Sequence, residues 1–255
     1  MVCASGGRQF LQVKMLDREF LINQENKLPN WLVNQYKVWR EIVEDKQFPC
    51  YFGTQAEKMG VLRYCYAEGG DLIGLPKVLS EFLILSQKNP KRRHALVLFL
   101  KPEQKNKSFE FYKERFWNIL NNLHANDEMD WPEEYPRDPD DPDWEFVYNK
   151  EQIFVSGNMP AYLNRVTRSI GDCQILIFQP RRIFAGIESN TKAGQKASKL
   201  IRNRAAIIEG MPPHPDLGQF GTEKLEWKQY VISDDNESET AQCPFLHHKI
   251  KTTKY

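Results

Sequence analysis

Two arginines that follow a short apolar segment could together bind an anion. The residues at 152–155 (Gln-Ile-Phe-Val) predict a strand that stops at a Gly-Asn turn containing Asn158, and Arg165 and Arg168 follow three residues apart. If the segment after the turn is helical, both guanidinium groups lie on one face, near a helix N-terminus that favours negative charge. The pattern therefore indicates a carboxylate or phosphate site. The alternative is a pair of solvated arginines, or partners for an acidic loop just upstream.

Sulfur and imidazole groups could ligate a metal or transfer a proton. Met159 follows the turn directly, and His214 lies in the proline-flanked loop Pro-Pro-His-Pro, where a histidine can ligate or titrate. The alternative for His214 is one structural hydrogen bond, and for Met159 it is packing. Cys243 and His247 could form a thiol- or metal-dependent site, although their spacing does not demand one. The sequence contains no metalloprotease, P-loop or dinucleotide-binding motif.

The composition predicts an ordinary cytoplasmic protein. The 255 residues are 41% hydrophobic and 27% charged, with a formal net charge of +1, so nothing draws the chain toward nucleic acid or an anionic membrane. Five scattered cysteines fit a reducing compartment better than a disulfide framework. The N-terminus has no signal-peptide pattern, and the longest apolar run is far shorter than the roughly 20 residues of a membrane span. The composition leaves the oligomeric state open.

Helical and strand patterns alternate along the chain without repeats or low-complexity linkers. Apolar residues recur at helical spacing in four segments: from residue 30, then at 77–88, 109–123 and 191–208. Apolar and β-branched runs predict strands at 61–68, 94–101 and 173–179, and a hairpin at 144–156. This order predicts an α/β fold, a mixed sheet flanked by helices. We expect a single domain over residues 28–255, preceded by a polar N-terminal arm at 1–27.

Several distinctive segments of the chain resemble the YqcI/YcgG family of bacterial proteins. The matching segments are FPCYFGTQAEKMGVLRYCY at 48–66, DPDDPDWEFVYNKEQIFVSGN at 138–158, ILIFQP at 175–180, HPDLGQFGTEKLEWKQYVISDDN at 214–236, and CPFLH at 243–247. They cover most of the chain. The Asp-Pro-Asp-Asp-Pro-Asp-Trp-Glu-Phe element and the terminal Cys-Pro-Phe are the most specific of them.

The resemblance implies an activity that the residues alone do not reveal. Some members of the family resemble haem-dependent oxygenases that hydroxylate a nitrogen of arginine or of another guanidine compound. In such an enzyme the protein orients the substrate and the haem iron activates oxygen, with a histidine expected on the iron. The resemblance implies that Arg165 and Arg168 meet haem propionates or a substrate carboxylate.

This chain departs from the family pattern at two positions. Where the resemblance implies histidines, the chain has Met159 after the Gly-Asn turn and Arg181 after the later strand. Met159 is a soft ligand that favours electron transfer over oxygen activation, and His214 is the next candidate for the iron. The expected cofactor-binding residues are thus Asn158, Met159, Arg165, Arg168, Arg181 and His214. The leading hypothesis is a haem-dependent N-oxygenase with altered or lost activity, and the alternative is a non-catalytic protein that binds a small anion or a partner.

Overall fold

A computed structural model describes residues 14–68, 72–105, 107–218 and 220–246 of the chain. In these ranges the helices are α1 (Arg18–Asn23), α2 (Asn30–Val43), α3 (Tyr51–Lys58), α4 (Leu75–Lys88), α5 (Phe109–Ala125) and α6 (Lys192–Glu209). The strands are β1 (Arg63–Ala67), β2 (Leu96–Leu100), β3 (Val147–Tyr148), β4 (Glu151–Asn158) and β5 (Gln174–Pro180). Within the described ranges, no helix has both the length and the apolar character that a membrane crossing requires.

The five strands form one mixed sheet in the order β1-β2-β5-β4-β3. β1 and β2 are parallel and are joined through α4, whereas the other neighbouring strands are antiparallel. All five residues of β2 are buried, as expected for a strand that helices cover on both faces. The predicted α/β fold, a mixed sheet flanked by helices, is therefore confirmed.

The hairpin between β3 and β4 forms where the sequence predicts one. Its two-residue turn consists of Asn149 and Lys150, which both have positive φ angles, 52° and 64°. Two consecutive residues of this kind make a turn whose twist matches that of the flanking strands. Farther along β4, Gly157 packs so closely that an added Cβ would lie 2.8 Å from Val231 and 3.1 Å from Phe116. Glycine is required there by close packing, because it leaves room for the neighbouring side chains.

The two faces of the sheet carry separate cores because neighbouring strand residues point to opposite faces. On one face, side chains such as Leu98, Val155 and Leu176 pack against α4 and α5. On the other face, Val97 and Ile175 pack against α2 and its neighbours. The second face is only partly filled, and this is where the candidate site lies.

Part of the predicted polar N-terminal arm, within residues 14–27, packs against the rest of the fold. Helix α1 begins at Arg18, and Leu16 pairs with Tyr64 of β1. Leu16 and Leu21 are both buried in the core of the second face. Their apolar side chains explain why this segment is docked. Residues 1–13 lie outside the described ranges, and the division into arm and domain stays a prediction.

Candidate functional site

The corner after β4 differs from the sequence prediction. β4 continues through Asn158, and the predicted helix is a single 3-10 turn, Val166–Arg168, that follows an irregular loop. The backbone N–H groups of residues 163–165 all donate to Oδ1 of Asp234, at 3.0, 2.9 and 3.0 Å. Successive amides of this kind form an anion-binding concavity. The anion bound at this corner is therefore the protein's own carboxylate, a partner that lies 70 residues away in sequence.

Arg165 is held by other parts of the protein. Its side chain is buried, and Nη1 donates to Oε2 of Glu209 at 2.9 Å in an ion pair that is itself almost fully buried. Nη2 donates to Oδ1 of Asn236 at 2.6 Å and to the carbonyl of Asp235 at 3.2 Å. These bonds occupy both terminal nitrogens, whereas the buried Nε of Arg165 has no hydrogen-bond partner.

Arg168 has a different environment. Its guanidinium donates only to backbone carbonyls, those of Gly157, Tyr230 and Gln229, at 3.4, 3.3 and 3.2 Å. No carboxylate of the described residues forms an ion pair with it. Burial lowers the pKa of Arg168, because desolvation penalises the charged form and outweighs the favourable field of Glu209. Arg168 is half-buried, and a cation in such a position without a carboxylate partner can form a strong charge-assisted hydrogen bond to an anionic ligand.

Asn158 lies at the end of β4 with an unused hydrogen-bond donor. The residue is 4% exposed, and its Nδ2 has no hydrogen-bond partner. A buried donor without a partner costs roughly 1–3 kcal/mol. Asn158 and Arg168 line the same cavity. The unused donor and the unpaired cation therefore face a common space.

This cavity has a volume of about 400 Å³ and lies between the sheet and helices α3 and α6. Small-molecule sites usually measure roughly 300–1,000 Å³ and combine apolar walls with a few polar groups. The sheet contributes Val97, Phe154, Ser156, Ile177 and Gln179 to the wall. Helix α6 contributes mostly small side chains, among them Gly194, Ala197 and Ala205. Because these side chains are small, space remains between the helix and the sheet.

The charged groups of the wall are mostly positive. The described lining residues include four arginines, Arg93, Arg165, Arg168 and Arg202, and one carboxylate, Glu209, a formal excess of three positive charges. Glu209 accepts hydrogen bonds from Arg165 and from the hydroxyl of Thr167. The cavity thus favours an anionic ligand.

The structure places the other three predicted site residues away from the cavity. Met159 is completely buried in the core on the opposite face of the sheet, which agrees with its alternative reading as a packing residue. Arg181 pairs with the carboxylates of Glu145 and Glu226, which raise its pKa even though burial alone would lower it. Met159, Arg181 and His214 are absent from the described lining of the cavity.

His214 uses both ring nitrogens in hydrogen bonds. Nδ1 accepts the backbone N–H of Asp216 at 3.1 Å, and Nε2 lies 2.8 Å from the hydroxyl oxygen of Ser233. Burial lowers the pKa of His214, so the neutral form with a proton on Nε2 is favoured. This arrangement agrees with the alternative for His214, a histidine that makes a structural hydrogen bond, except that His214 makes two such bonds and not one.

The third hypothesis, a site built from Cys243 and His247, gains no support within the described residues. Cys243 is half-buried and packs against the core, and burial raises the pKa of its thiol to about 12. His247 lies outside the described residues. Among the residues that the structure describes, no three His, Cys, Asp or Glu side chains come together as a metal-binding group.

Cys50 is a cavity residue that sequence reasoning did not select. It is half-buried, lines the cavity, and caps the N-terminus of α3, where its Sγ accepts the N–H of Gly53 at 3.4 Å. Burial raises the pKa of the Cys50 thiol, although the N–H groups of Gly53 and Phe52 oppose that shift. A Pro-Cys pair directly before an amphipathic segment is a visible sequence signal for such a cap.

The donor set of the cavity is compatible with a haem group. Among its described lining residues Cys50 is the one soft iron ligand, since the lining contains no histidine, methionine or tyrosine. The walls are largely apolar, and the arginines supply cations for propionate groups. The unused Nδ2 of Asn158 adds a donor that a bound oxygen atom would satisfy.

Comparisons with known proteins identify relatives that match most of the chain. The family model described as the YqcI/YcgG family matches residues 39–246. YqcI of Bacillus subtilis (strain 168) is 35% identical over 233 residues, which cover 87% of this chain and 90% of that protein. YcgG of the same organism is 34% identical over 241 residues, which cover 91% of this chain and 94% of that protein.

A more distant relative has a name that states a reaction. The Streptomyces lavendulae protein named "Putative N(omega)-hydroxy-L-arginine synthase DcsA" is 28% identical over 235 residues, which cover 88% of this chain and 89% of that protein. No solved structure matches the chain significantly. The family match and the two Bacillus relatives extend over most of the sequence, including Cys50, Asn158 and Arg168. This chain belongs to the YqcI/YcgG family.

Proposed function

We propose that the protein is an N-hydroxylating oxidoreductase that binds haem and a carboxylate-bearing, amino-acid-type substrate in the cavity beneath α6. The observation that carries this proposal is the half-buried guanidinium of Arg168, which has no carboxylate partner among the described residues and shares the cavity with the unused donor of Asn158. The name of the Streptomyces lavendulae relative supports the reaction type.

The substrate carboxylate binds at the Arg168 end of the cavity. Arg168 provides the charge, and Nδ2 of Asn158 provides a second hydrogen-bond donor. Hydrogen bonds between charged partners contribute about 1.5–3 kcal/mol each. The free-energy cost of partly burying Arg168 is incurred when the protein folds and not when the ligand binds. The interaction between Arg168 and the anion therefore contributes in full to the free energy of binding.

The positive charge of the cavity wall limits the charge that the other end of the substrate can carry. A guanidinium group would need a carboxylate, yet the carboxylate of Glu209 is already bonded to Arg165 and Thr167. Ser156 and Gln179 offer uncharged polar groups on the sheet side. The cavity therefore favours a reacting nitrogen that carries no positive charge, because like charges repel strongly where water is excluded.

Haem, when bound, supplies the activation of dioxygen that N-hydroxylation requires. In the overall reaction one atom of O₂ enters an N–H bond to give N–OH. The other atom leaves as water, with two protons and two electrons from a one-electron carrier protein. The chain's own residues bind the substrate carboxylate, exclude water and orient the nitrogen. Arg93 and Arg202 are the remaining arginines of the wall, and their guanidinium groups donate to backbone carbonyls and to no carboxylate of the described residues.

A comparison of three ligands tests the proposal. L-Arginine, L-citrulline and agmatine have similar aliphatic portions. Compared with arginine, citrulline has a neutral ureido group instead of the guanidinium group, and agmatine lacks the carboxylate. We expect citrulline to bind at least as tightly as arginine, and agmatine to bind at least about tenfold more weakly than either. Equal binding of agmatine and arginine would contradict the carboxylate subsite.

A product assay separates this enzyme from the alternative, a non-catalytic protein that binds a small anion. Haem-loaded protein is incubated with an amino acid, dioxygen and a reduced electron-carrier protein, and products are analysed by mass spectrometry. We expect a product one oxygen atom heavier, which the Arg168→Met variant forms far more slowly. Tight carboxylate binding without product would overturn the catalytic proposal in favour of the binding protein.

A further inference from the structure

Cys50 has a position that the carboxylate subsite does not explain. Its half-buried thiol lines the cavity at the start of α3, whereas Arg168 and Asn158 reach the cavity from the end of β4 and the turn after it. The cavity thus has a sulfur atom on a helical wall and an anion-binding pair on the sheet wall. The orphaned, almost fully buried Nδ2 of Asn158 is independent evidence that this space holds a ligand.

We propose that Sγ of Cys50 is the protein ligand to the iron of haem bound in this cavity. This assignment rests on the proposed function, since it names the metal ligand of the same site. It differs from the sequence expectation, which placed Met159 or His214 on the iron.

The local structure suits a metal ligand. Pro49 is buried and precedes Cys50 directly, so the backbone before the sulfur is held in place. The N–H of Gly53 points at Sγ from 3.4 Å at the N-terminus of α3. These groups oppose the rise in the pKa of the Cys50 thiol that burial causes, and a metal ion bound to the sulfur would itself displace the thiol proton.

The other candidates are excluded by their contacts. Met159 is completely buried on the opposite face of the sheet, so its sulfur would have to cross the sheet to reach the cavity. Both ring nitrogens of His214 have partners, the N–H of Asp216 and the hydroxyl of Ser233. Ligation by His214 would break at least one of these bonds and leave a buried polar group unpaired.

A thiolate ligand also suits the proposed reaction. Cysteine thiolate on haem iron donates electron density that favours cleavage of the O–O bond, whereas methionine ligation raises the reduction potential and suits electron transfer. With Cys50 as the ligand, loss of the histidines expected from the family pattern does not abolish oxygen chemistry.

Serine at position 50 provides a clean test because serine is among the preferred residues for a helix N-cap. Cys50→Ser therefore removes the sulfur and keeps a cap for the N–H of Gly53. Cys243→Ser is the matched control, since Cys243 is also half-buried and is absent from the described lining. Each full-length protein is loaded with haem, and absorption spectra of the ferric and the ferrous–carbon monoxide forms are recorded with a haem titration.

We expect the wild type and Cys243→Ser to bind one haem with the red-shifted ferrous–carbon monoxide band of a thiolate ligand. We expect Cys50→Ser to lose that band and to bind haem more than about tenfold more weakly. A Cys50→Ser spectrum identical to that of the wild type would overturn the assignment of Cys50 and leave the proposed function intact. Wild-type protein that takes up no haem would overturn the haem-dependent function and the assignment together.

Discussion

Two buried polar groups on the same face of the sheet have opposite hydrogen-bonding environments. Glu57 of α3 is completely buried, and both of its carboxylate oxygens are saturated. The donors are Nη1 of Arg18 at 2.6 Å, the hydroxyl of Tyr36 at 3.0 Å, Nε1 of Trp39 at 2.9 Å and the hydroxyl of Tyr64. We call this set the Glu57 cluster. Its charge is neutralised and its hydrogen-bonding capacity is used entirely within the fold.

Arg168 and Asn158 show the opposite arrangement. The guanidinium of Arg168 makes only long hydrogen bonds, 3.2–3.4 Å, to three carbonyls, and Nδ2 of Asn158 makes none. Both groups border an open cavity, whereas the donors of the Glu57 cluster surround their carboxylate. The contrast distinguishes a structural polar cluster from a binding one, because polar groups that serve only stability are normally paired within the fold.

The largest expected effect concerns the Glu57 cluster. Glu57→Ala should lower the free energy of unfolding by about 3–5 kcal/mol, since it leaves the donors of Tyr36, Trp39 and Tyr64 unpaired in the core, while Arg18 keeps its ion pair with Glu44. The measurement is urea unfolding followed by circular dichroism. The control is Glu25→Ala, which removes an exposed ion pair with Lys37 and should cost less than about 1 kcal/mol. Similar losses in the two variants would contradict the structural role of the cluster.

A third polar cluster predicts that the stability of the protein depends on pH. Its charges are paired less completely than those of the Glu57 cluster and more completely than that of Arg168. Glu145 is buried beside Arg181 and Glu226, and burial raises its pKa from 4.5 to about 7, although Arg181 opposes the shift. The folded state therefore binds more protons than the unfolded state between these values. The contribution of this group to the free energy of unfolding should be greatest below pH 4.5, and it should fall by about 3 kcal/mol as the pH rises through 7.

Glu145→Gln provides the comparison for that effect. The variant cannot titrate at position 145, so the difference in unfolding free energy between the two proteins should change with pH by the amount given above. The raised pKa of Glu226 contributes in the same direction and remains in both proteins. A wild-type pH profile parallel to that of Glu145→Gln would show that the carboxyl group is ionised throughout this range.

Arg168→Met and Arg165→Met should separate binding from stability. We expect Arg168→Met to reduce the affinity for L-citrulline by about 1.5–3 kcal/mol, roughly ten- to a hundredfold, with a change in unfolding free energy of less than about 1.5 kcal/mol. Arg165→Met removes the buried partner of Glu209 and should instead destabilise the fold by several kcal/mol. The measurements are isothermal titration calorimetry and urea unfolding. The opposite pattern would make Arg165 the binding residue.

The smallest expected effect comes from filling the cavity. Ala205 of α6 lines the cavity, so Ala205→Leu should occupy part of the empty space. We expect the unfolding free energy to change by less than about 1 kcal/mol, while haem uptake and citrulline binding weaken measurably. The neighbouring Ala206→Leu is the matched control, because Ala206 is absent from the described lining. Equal ligand affinity in both variants would place the ligand elsewhere.

Much of the fold was predictable because it depends on local patterns. The apolar stripe of α5, the fully apolar β2 and the hairpin at Asn149-Lys150 all follow from residue periodicity and turn propensity. The resemblance to the YqcI/YcgG family, carried by motifs such as that at 138–158, was also visible in the sequence and is confirmed by the family match. These features need few contacts between distant residues.

The candidate site was only partly predictable, because it depends on such distant contacts. Arg165 and Arg168 look equivalent at a spacing of three residues, but Arg165 meets Glu209 and Arg168 meets only carbonyls. The backbone amides of residues 163–165 bind the carboxylate of Asp234, and the segment after Asn158 forms an irregular loop. Glu209, Tyr230 and Asp234 all lie more than 40 residues from the corner in sequence, so no local pattern could report them.

The sequence by itself determined the class of fold, the order of its elements and the family, since hydrophobic periodicity and motif identity are properties of the chain. Only the tertiary structure decided which charges are neutralised, which face of the sheet holds Met159, and that Cys50 shares a cavity with Arg168. The physical reason is that electrostatic pairing and free volume are set by contacts across the folded molecule, where residues distant in sequence share one low-dielectric space.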